Sequence, residues 1–205
     1  MRVTVIDYKA GNLTSVLKAL RHLGAEVEVS DADLAPIASA ERIVLPGVGH
    51  FAATQYLDST GLAAAIHEAI GRGVPFLGIC VGMQWLYAGS TEAPDQAGLG
   101  HFPEQCARFS DSHEKVPHVG WNSLEAKASS RLLAGVKLGE FVYFTHSYKA
   151  PVSADTAAIT QYIEPFASAV ERENVMGVQF HPEKSGETGL KILRNFLAWE
   201  RQGMA

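Results

Sequence analysis

Apolar and polar positions change period several times along the first ninety residues, and each change marks an element. Val3–Ile6 is a short β-branched run that predicts a strand. From Leu13 to Leu23 the residues Leu13, Val16, Leu17 and Leu20 recur with helical spacing, and Gly24 stands where a helix commonly ends. Glu26–Val29 and Arg42–Leu45 predict further strands, Ala52–Ile70 contains a helix, Val74–Ile79 is an apolar strand, and a helix runs through Met83–Ala88. Strand and helix in alternation is the pattern of a parallel sheet covered by helices. Between Ser90 and Asn122 the periodicity gives way to Gly, Pro and His, which predicts loops with one or two strands and no domain boundary. Phe141–Thr145, Ala157–Tyr162, Ala167–Glu171 and Val175–Phe180 then read as strands separated by turns, and Leu190–Trp199 as a closing helix. The expected architecture is α/β: an open, mostly parallel sheet with helices on both faces and added antiparallel strands.

Composition narrows the functions open to such a chain. Its 205 residues, 47% of them hydrophobic, can bury one substantial core. A net charge of −5, with no basic run longer than two residues, excludes a nucleic-acid or anionic-membrane surface, because phosphate binding needs clustered Lys and Arg. Asp7 arrives after only four strand-like residues, which leaves no apolar stretch for a signal peptide, and no segment reaches the roughly 18 apolar residues of a membrane span. Cys80 and Cys106 lie in unlike contexts, so no disulfide framework is expected and the reducing cytoplasm is the natural location. His113 and His118, with Glu114 beside them, lack a convincingly spaced third ligand, so neither a metal nor another cofactor is expected.

The strongest local signal is Pro75-Phe-Leu-Gly78-Ile-Cys80-Val-Gly82-Met-Gln84, an apolar strand entering a helix through Gly-x-Cys-x-Gly. It is the nucleophile-elbow pattern with Cys in place of Ser. A nucleophile on a sharp strand-to-helix turn is crowded by its neighbours, so the residues two before and two after it must carry almost no side chain. The positive end of the following helix also favours a thiolate. A free cysteine is otherwise most often a small buried hydrophobe. Cys106, in Glu104-Gln-Cys-Ala-Arg108, has neither elbow nor preceding apolar strand and reads that way.

A thiol nucleophile needs a base, and His181 in Phe180-His-Pro-Glu-Lys-Ser185 is the best placed of the eight histidines. Pro182 ends the preceding strand and, if the chain stays extended, Glu183 points to the same side as His181 and can orient its ring. His22, His67 and His113 read as surface or satisfied residues. Gly47-Val48-Gly49, a glycine-rich turn after the strand Arg42–Leu45, could aim backbone amides at a developing oxyanion.

Together these segments resemble the class I glutamine amidotransferase family, in which Cys, His and Glu hydrolyse the amide of glutamine. Pro46–Phe51, Pro117–Asn122, Tyr143–Tyr148 and His181–Ser185 are most similar to members that supply ammonia for imidazole glycerol phosphate synthesis, and the likeness spans nearly the whole chain, 1–205, as one flavodoxin-like amidotransferase domain. The resemblance implies Cys80 as nucleophile, His181 as base, Glu183 as orienter, and Gly47, Val48 and Gly49 as the oxyanion region. It implies that Gln84, His146, Ser147 and Tyr148 hold L-glutamine, and that Asn12, Ser15, Trp121, Asn122 and Lys184 face a partner. That partner is the (β/α)8-barrel cyclase subunit of imidazole glycerol phosphate synthase, which in a heterodimer would use the ammonia to make imidazole glycerol phosphate and an aminoimidazole carboxamide ribotide. Trp121 taken alone reads equally as a core residue. Lys9 stands where the family usually has glycine, and Thr145 and Lys149 also depart from its commoner residues. The competing readings are a sister amidotransferase serving anthranilate, guanylate or pyridoxal phosphate synthesis, a cysteine hydrolase on the same fold, and a non-enzymatic flavodoxin-like binding module.

Overall fold

In a computed structural model of the chain, which describes residues 1–10, 13–110 and 114–200, the elements follow in the order β1 (Arg2–Ile6), α1 (Thr14–His22), β2 (Glu26–Ser30), α2 (Ala35–Ala38), β3 (Ile43–Gly47), α3 (Gln55–Ser59), α4 (Leu62–Gly71), β4 (Phe76–Cys80) and α5 (Val81–Gln84). The chain continues through β5 (Tyr87–Ser90), β6 (Phe102–Arg108), β7 (His118–Ser123), β8 (Glu125–Ala126), β9 (Phe141–His146), β10 (Tyr148–Lys149), β11 (Thr156–Tyr162), β12 (Glu164–Arg172), β13 (Val175–Val178) and α6 (Gly186–Leu197). Asn12 and His113 lie outside the described residues. None of the helices described is long and apolar enough to cross a membrane.

The main sheet runs β2-β1-β3-β4-β13-β12-β11-β8. Its first half, through β13, is parallel, and β12, β11 and β8 add antiparallel strands. β3, β4 and β13 are buried at every position, which is why they read in the sequence as continuous apolar runs. β2, at the edge, instead alternates Glu26 and Glu28 with valines, and such charges discourage edge-to-edge pairing. α1 buries Val16, Ala19 and Leu20, and α6 buries Ile192, Leu193 and Phe196. Two small sheets, β10-β6-β5 and β7-β9, complete the described structure.

Strand order decides where chemistry can occur. β4 lies between β3 and β13, with Gly47 opposite Cys80 and Val178 opposite Ile79. The carboxyl ends of three neighbouring parallel strands therefore deliver the glycine-rich turn, Cys80 and His181 to one edge, where open α/β sheets bind ligands.

One expected helix differs. The run Met83–Ala88 is helical only to Gln84, because Tyr87–Ser90 pairs in parallel with β6, and a short apolar run does not by itself choose between helix and strand. Ala52–Ile70 divides into a 3-10 turn, α3 and α4, interrupted at Gly61, whose φ is +80°.

Lys9 has φ 63°, the left-handed conformation that glycine adopts freely, which accounts for the family's usual choice there. Its amide donates to Asp7 Oδ1 at 2.9 Å, and its ammonium pairs with Asp7 at 3.3 Å and Asp31 at 3.1 Å. Lys9→Gly relieves about 1 kcal/mol of backbone strain. It also loses exposed ion pairs, which contribute little, and makes the unfolded chain more flexible, which offsets that relief. The expected melting temperature is therefore within about 4 °C of the parent, measured by circular dichroism.

Candidate active site

Cys80 joins β4 to α5 at φ 55°, ψ −109°, a backbone conformation that persists only where the surroundings enforce it. The enforcement is visible in its glycine neighbours. A Cβ on Gly78 would lie 2.4 Å from the Gly82 carbonyl oxygen, and one on Gly82 would lie 1.8 Å from the Leu45 carbonyl oxygen in β3. α5 is only four residues long, so its dipole is weak and the positive charge beside the sulfur comes chiefly from His181.

His181 follows β13, and its amide donates to the Tyr143 carbonyl of β9 at 2.9 Å. Pro182–Lys184 is a 3-10 turn rather than extended chain, since proline's fixed φ suits the first position of a helical turn. Glu183 still reaches back, with Oε1 2.8 Å from His181 Nδ1 and both side chains almost fully buried. Ser185, to which the sequence alone assigns no role, pins this turn: its hydroxyl donates to the His181 carbonyl at 2.6 Å and accepts from the Tyr143 amide at 3.0 Å.

His181 Nε2 is buried with no hydrogen-bond partner among the described residues. Burial disfavours the imidazolium, but the adjacent Cys80 sulfur, and then Glu183, outweigh it and raise the pKa from 6.5 to about 9. A group whose pKa is raised on folding contributes stability that is complete below its unfolded value and lost as pH rises through its folded one. Melting temperature should therefore fall between about pH 7 and 10. His181→Gln should flatten that part of the curve, as a pH series of thermal melts would record.

The glycine-rich turn stands beside the nucleophile. Val48 and Gly49 border the same cavity as Cys80, but the Val48 amide donates to the Ala10 carbonyl at 3.3 Å and is already engaged. The segment after β1 causes this by lying directly on the turn: a Cβ on Gly47 would fall 1.8 Å from the Tyr8 hydroxyl. The Val81 amide stands at the first position of α5, where it has no intrahelical acceptor, and Val81 lines the cavity.

The cavity over Cys80 has a volume of ≈ 240 Å³ and is also lined by Gln84, Glu92, Pro117 and Thr145–Tyr148. Gln84 spends both amide protons on the Tyr148 carbonyl and Gln179 Oε1, each at 3.0 Å, so only its oxygen remains for a ligand. Glu92, likewise unmarked by any motif, holds the Phe51 amide at 2.8 Å.

Behind the cavity, burial lowers the pKa of His118 to about 4 and of His146 to about 3, so both rings are neutral. The Tyr148 carbonyl can only accept, which assigns their tautomers. His146 Nδ1 donates to it at 2.8 Å, His118 Nδ1 donates to His146 Nε2 at 3.1 Å, and Asn122 Nδ2 approaches His118 Nε2 at 3.4 Å. With both nitrogens so used, His118 is not poised for a metal, and no metal-binding cluster of His, Cys, Asp and Glu occurs among the described residues. Cys106 is fully buried, which pushes its thiol up.

The residues expected at a partner surface divide. Trp121 is 55% exposed and shares one face of the β7–β9 ribbon with Val119 and Phe141, 56% and 57% exposed. Lys184 lies over the Tyr143 ring at 5.9 Å, and Ser15 borders a cleft with Pro182 and Glu183. Asn122 is half-buried, its amide donating to the Gln161 carbonyl at 2.9 Å and lying 3.4 Å from His118 Nε2.

A family model described as glutamine amidotransferase class-I matches residues 4–199. The chain is 47% identical over 205 residues, 95% of its own length and 93% of the other's, to imidazole glycerol phosphate synthase subunit HisH of Salinibacter ruber. It is 44% identical to the protein of that name from Streptococcus mutans, covering 95% and 98% of the two chains. In the chloroplastic imidazole glycerol phosphate synthase hisHF of Arabidopsis thaliana, 44% identical, the match spans 95% of this chain but 34% of that one. Among solved structures, PurLQS from Thermotoga maritima superposes with a TM-score of 0.73 at 22% identity, covering 96% and 97% of the two chains, a likeness of fold. With a match along almost its entire length, the chain belongs to the class-I glutamine amidotransferase family.

Proposed function

We propose that this chain is the glutaminase subunit of an imidazole glycerol phosphate synthase, that it hydrolyses L-glutamine to glutamate and ammonia, and that it passes the ammonia to a (β/α)8-barrel cyclase subunit. The observation that carries the reading is the convergence of Cys80, His181 and Glu183 at adjacent strand ends beneath a cavity with room for a small ligand.

The Cys80 sulfur attacks the carboxamide carbon while the oxygen's developing charge is met by backbone amides. The Val81 amide, which has no acceptor within α5, can serve as one donor; the Val48 amide must first leave the Ala10 carbonyl. The imidazolium of His181, held by Glu183, protonates the leaving nitrogen, and the C–N bond breaks to release ammonia. His181 then takes a proton from water as its oxygen attacks the thioester carbon; the C–S bond breaks, and glutamate leaves with the sulfur restored. With its nitrogen engaged, Gln84 lines the cavity with only its oxygen left to accept from the substrate.

Ammonia protonates in bulk water and ceases to be a nucleophile, so a second active site must lie close by. Two observations support a partner subunit. The relatives are named as subunits of a synthase, and in the Arabidopsis synthase the matching stretch is about a third of a longer chain. The apolar face of Val119, Trp121 and Phe141 also has the character of an interface centre. Both cysteines are free and buried, in keeping with a cytoplasmic enzyme.

The test measures glutamate release by the purified chain, alone and with an imidazole glycerol phosphate cyclase and its ribonucleotide substrate. The expected result is turnover that rises on complex formation. A cyclase that neither binds nor stimulates the chain overturns the partner, and absence of glutamate release in every mixture overturns the glutaminase.

A further inference from the structure

One polar side chain at the site has no part in the mechanism above. Gln179 lies between β13 and His181 and is completely buried. A carboxamide in such a place costs free energy unless its hydrogen bonds are made, and an apolar residue of that size would serve the core better. Its oxygen accepts from Gln84 Nε2 at 3.0 Å, and its nitrogen donates to the Cys80 sulfur at 3.6 Å.

The direction of these bonds is imposed. A carboxamide can turn over and exchange its oxygen and nitrogen, but Gln84 cannot do so here without setting its oxygen against the Tyr148 carbonyl, an acceptor against an acceptor. Gln84 must therefore present its nitrogen to Gln179 as well, Gln179 must answer with its oxygen, and the Gln179 N–H is left facing sulfur.

We propose that Gln179 is a further catalytic residue, whose side-chain N–H, oriented by Gln84 and the Tyr148 carbonyl, holds the Cys80 thiolate. A donor to an anionic sulfur makes a charge-assisted bond, whereas thioester sulfur is a weak acceptor. The bond therefore favours the reactive form before attack and helps sulfur depart as an anion when the thioester is hydrolysed. Only its kinetic consequence rests on the glutaminase reading; the bond to sulfur is independent of substrate.

Two substitutions separate the donor from its surroundings. Gln179→Glu keeps an oxygen for Gln84 but offers oxygen to the sulfur, and Gln179→Met removes both bonds with little change of volume. Alkylation of Cys80 by iodoacetamide at neutral pH, with Cys80→Ala as the blank, should slow about tenfold or more in both. In glutamine turnover Gln179→Glu should lower kcat about tenfold or more with KM within about threefold, whereas Gln179→Met, which also frees Gln84, should raise KM as well. Alkylation at the parent rate in folded Gln179→Glu overturns the proposal. If that variant does not fold, the parent rate in Gln179→Met overturns it. The unsubstituted protein gives an independent reading: the Gln179 side-chain amide protons should shift in NMR spectra when Cys80 is alkylated, and unchanged resonances count against the bond whatever the variants do. Slow alkylation without any glutamine turnover in the parent would leave the sulfur contact standing and remove the glutaminase reading.

Discussion

Cys80→Ala is expected to release no glutamate above background, a loss on the order of 10⁴–10⁶ in kcat, the scale on which removal of a catalytic nucleophile is felt. Alanine keeps the backbone and loses only the sulfur, the group that forms the acyl intermediate. Cys106 cannot substitute, being fully buried in β6, where its sulfur faces the Gln84 carbonyl at 4.0 Å. The fold should persist, with a melting temperature within a few degrees of the parent. A second signature accompanies the loss. The Cys80 sulfur is the larger of the two influences raising His181, so without it burial pulls the imidazole down, and its NMR titration should move below about 9. Retained turnover in Cys80→Ala would refute the mechanism; a His181 titration that stays in place would refute the charge coupling between the two residues.

Gly82→Ala is expected not to accumulate as folded protein. Its added carbon would stand 1.8 Å from the Leu45 carbonyl oxygen, a main-chain atom in the fully buried centre of the sheet, where Leu45 pairs with Gly78. Relief by side-chain rotation is impossible, and separating β3 from α5 would open the buried core of the sheet. Ordinary overpacking costs about 1–3 kcal/mol. A backbone clash of this depth exceeds that and is a large fraction of a stability of about 5–15 kcal/mol. Soluble yield and far-UV circular dichroism measure it. A folded Gly82→Ala with normal turnover would show that the elbow has more freedom than this geometry allows.

The same elbow explains why part of the site is legible in the sequence. Gly78, Cys80 and Gly82 are spaced two apart in the chain, so steric necessity leaves its mark within five residues. Pairing of His181 with Glu183 is legible for a similar reason, though the turn that joins them is 3-10 rather than extended. The approach of the two segments is not, because nothing local says that β13 inserts beside β4; sheet order is set by crossover connections and long-range packing. Tertiary pairing also overrides the local pattern at Tyr87–Ser90. The engagement of the Val48 amide is invisible locally because its acceptor, Ala10, lies on another segment. Gln179 escapes notice since a polar residue between Val178 and Phe180 looks like the solvent side of an alternating strand, yet both faces of the sheet are covered there. Asn122 shows the converse, a polar residue, beside an exposed tryptophan, whose amide also reaches the buried His118 ring.

The carbonyl of Tyr148 is the fork from which the orientations of Gln84 and His146 both descend, and it belongs to the main chain. No side-chain exchange at position 148 deletes it. A survey of substitutions would score that position by its phenol alone, while the residues leaning on it appeared individually indispensable. The polarity of this pocket is thus written in the path of the backbone, where protein chemistry can edit it, by an ester in place of the amide, but ordinary mutation cannot.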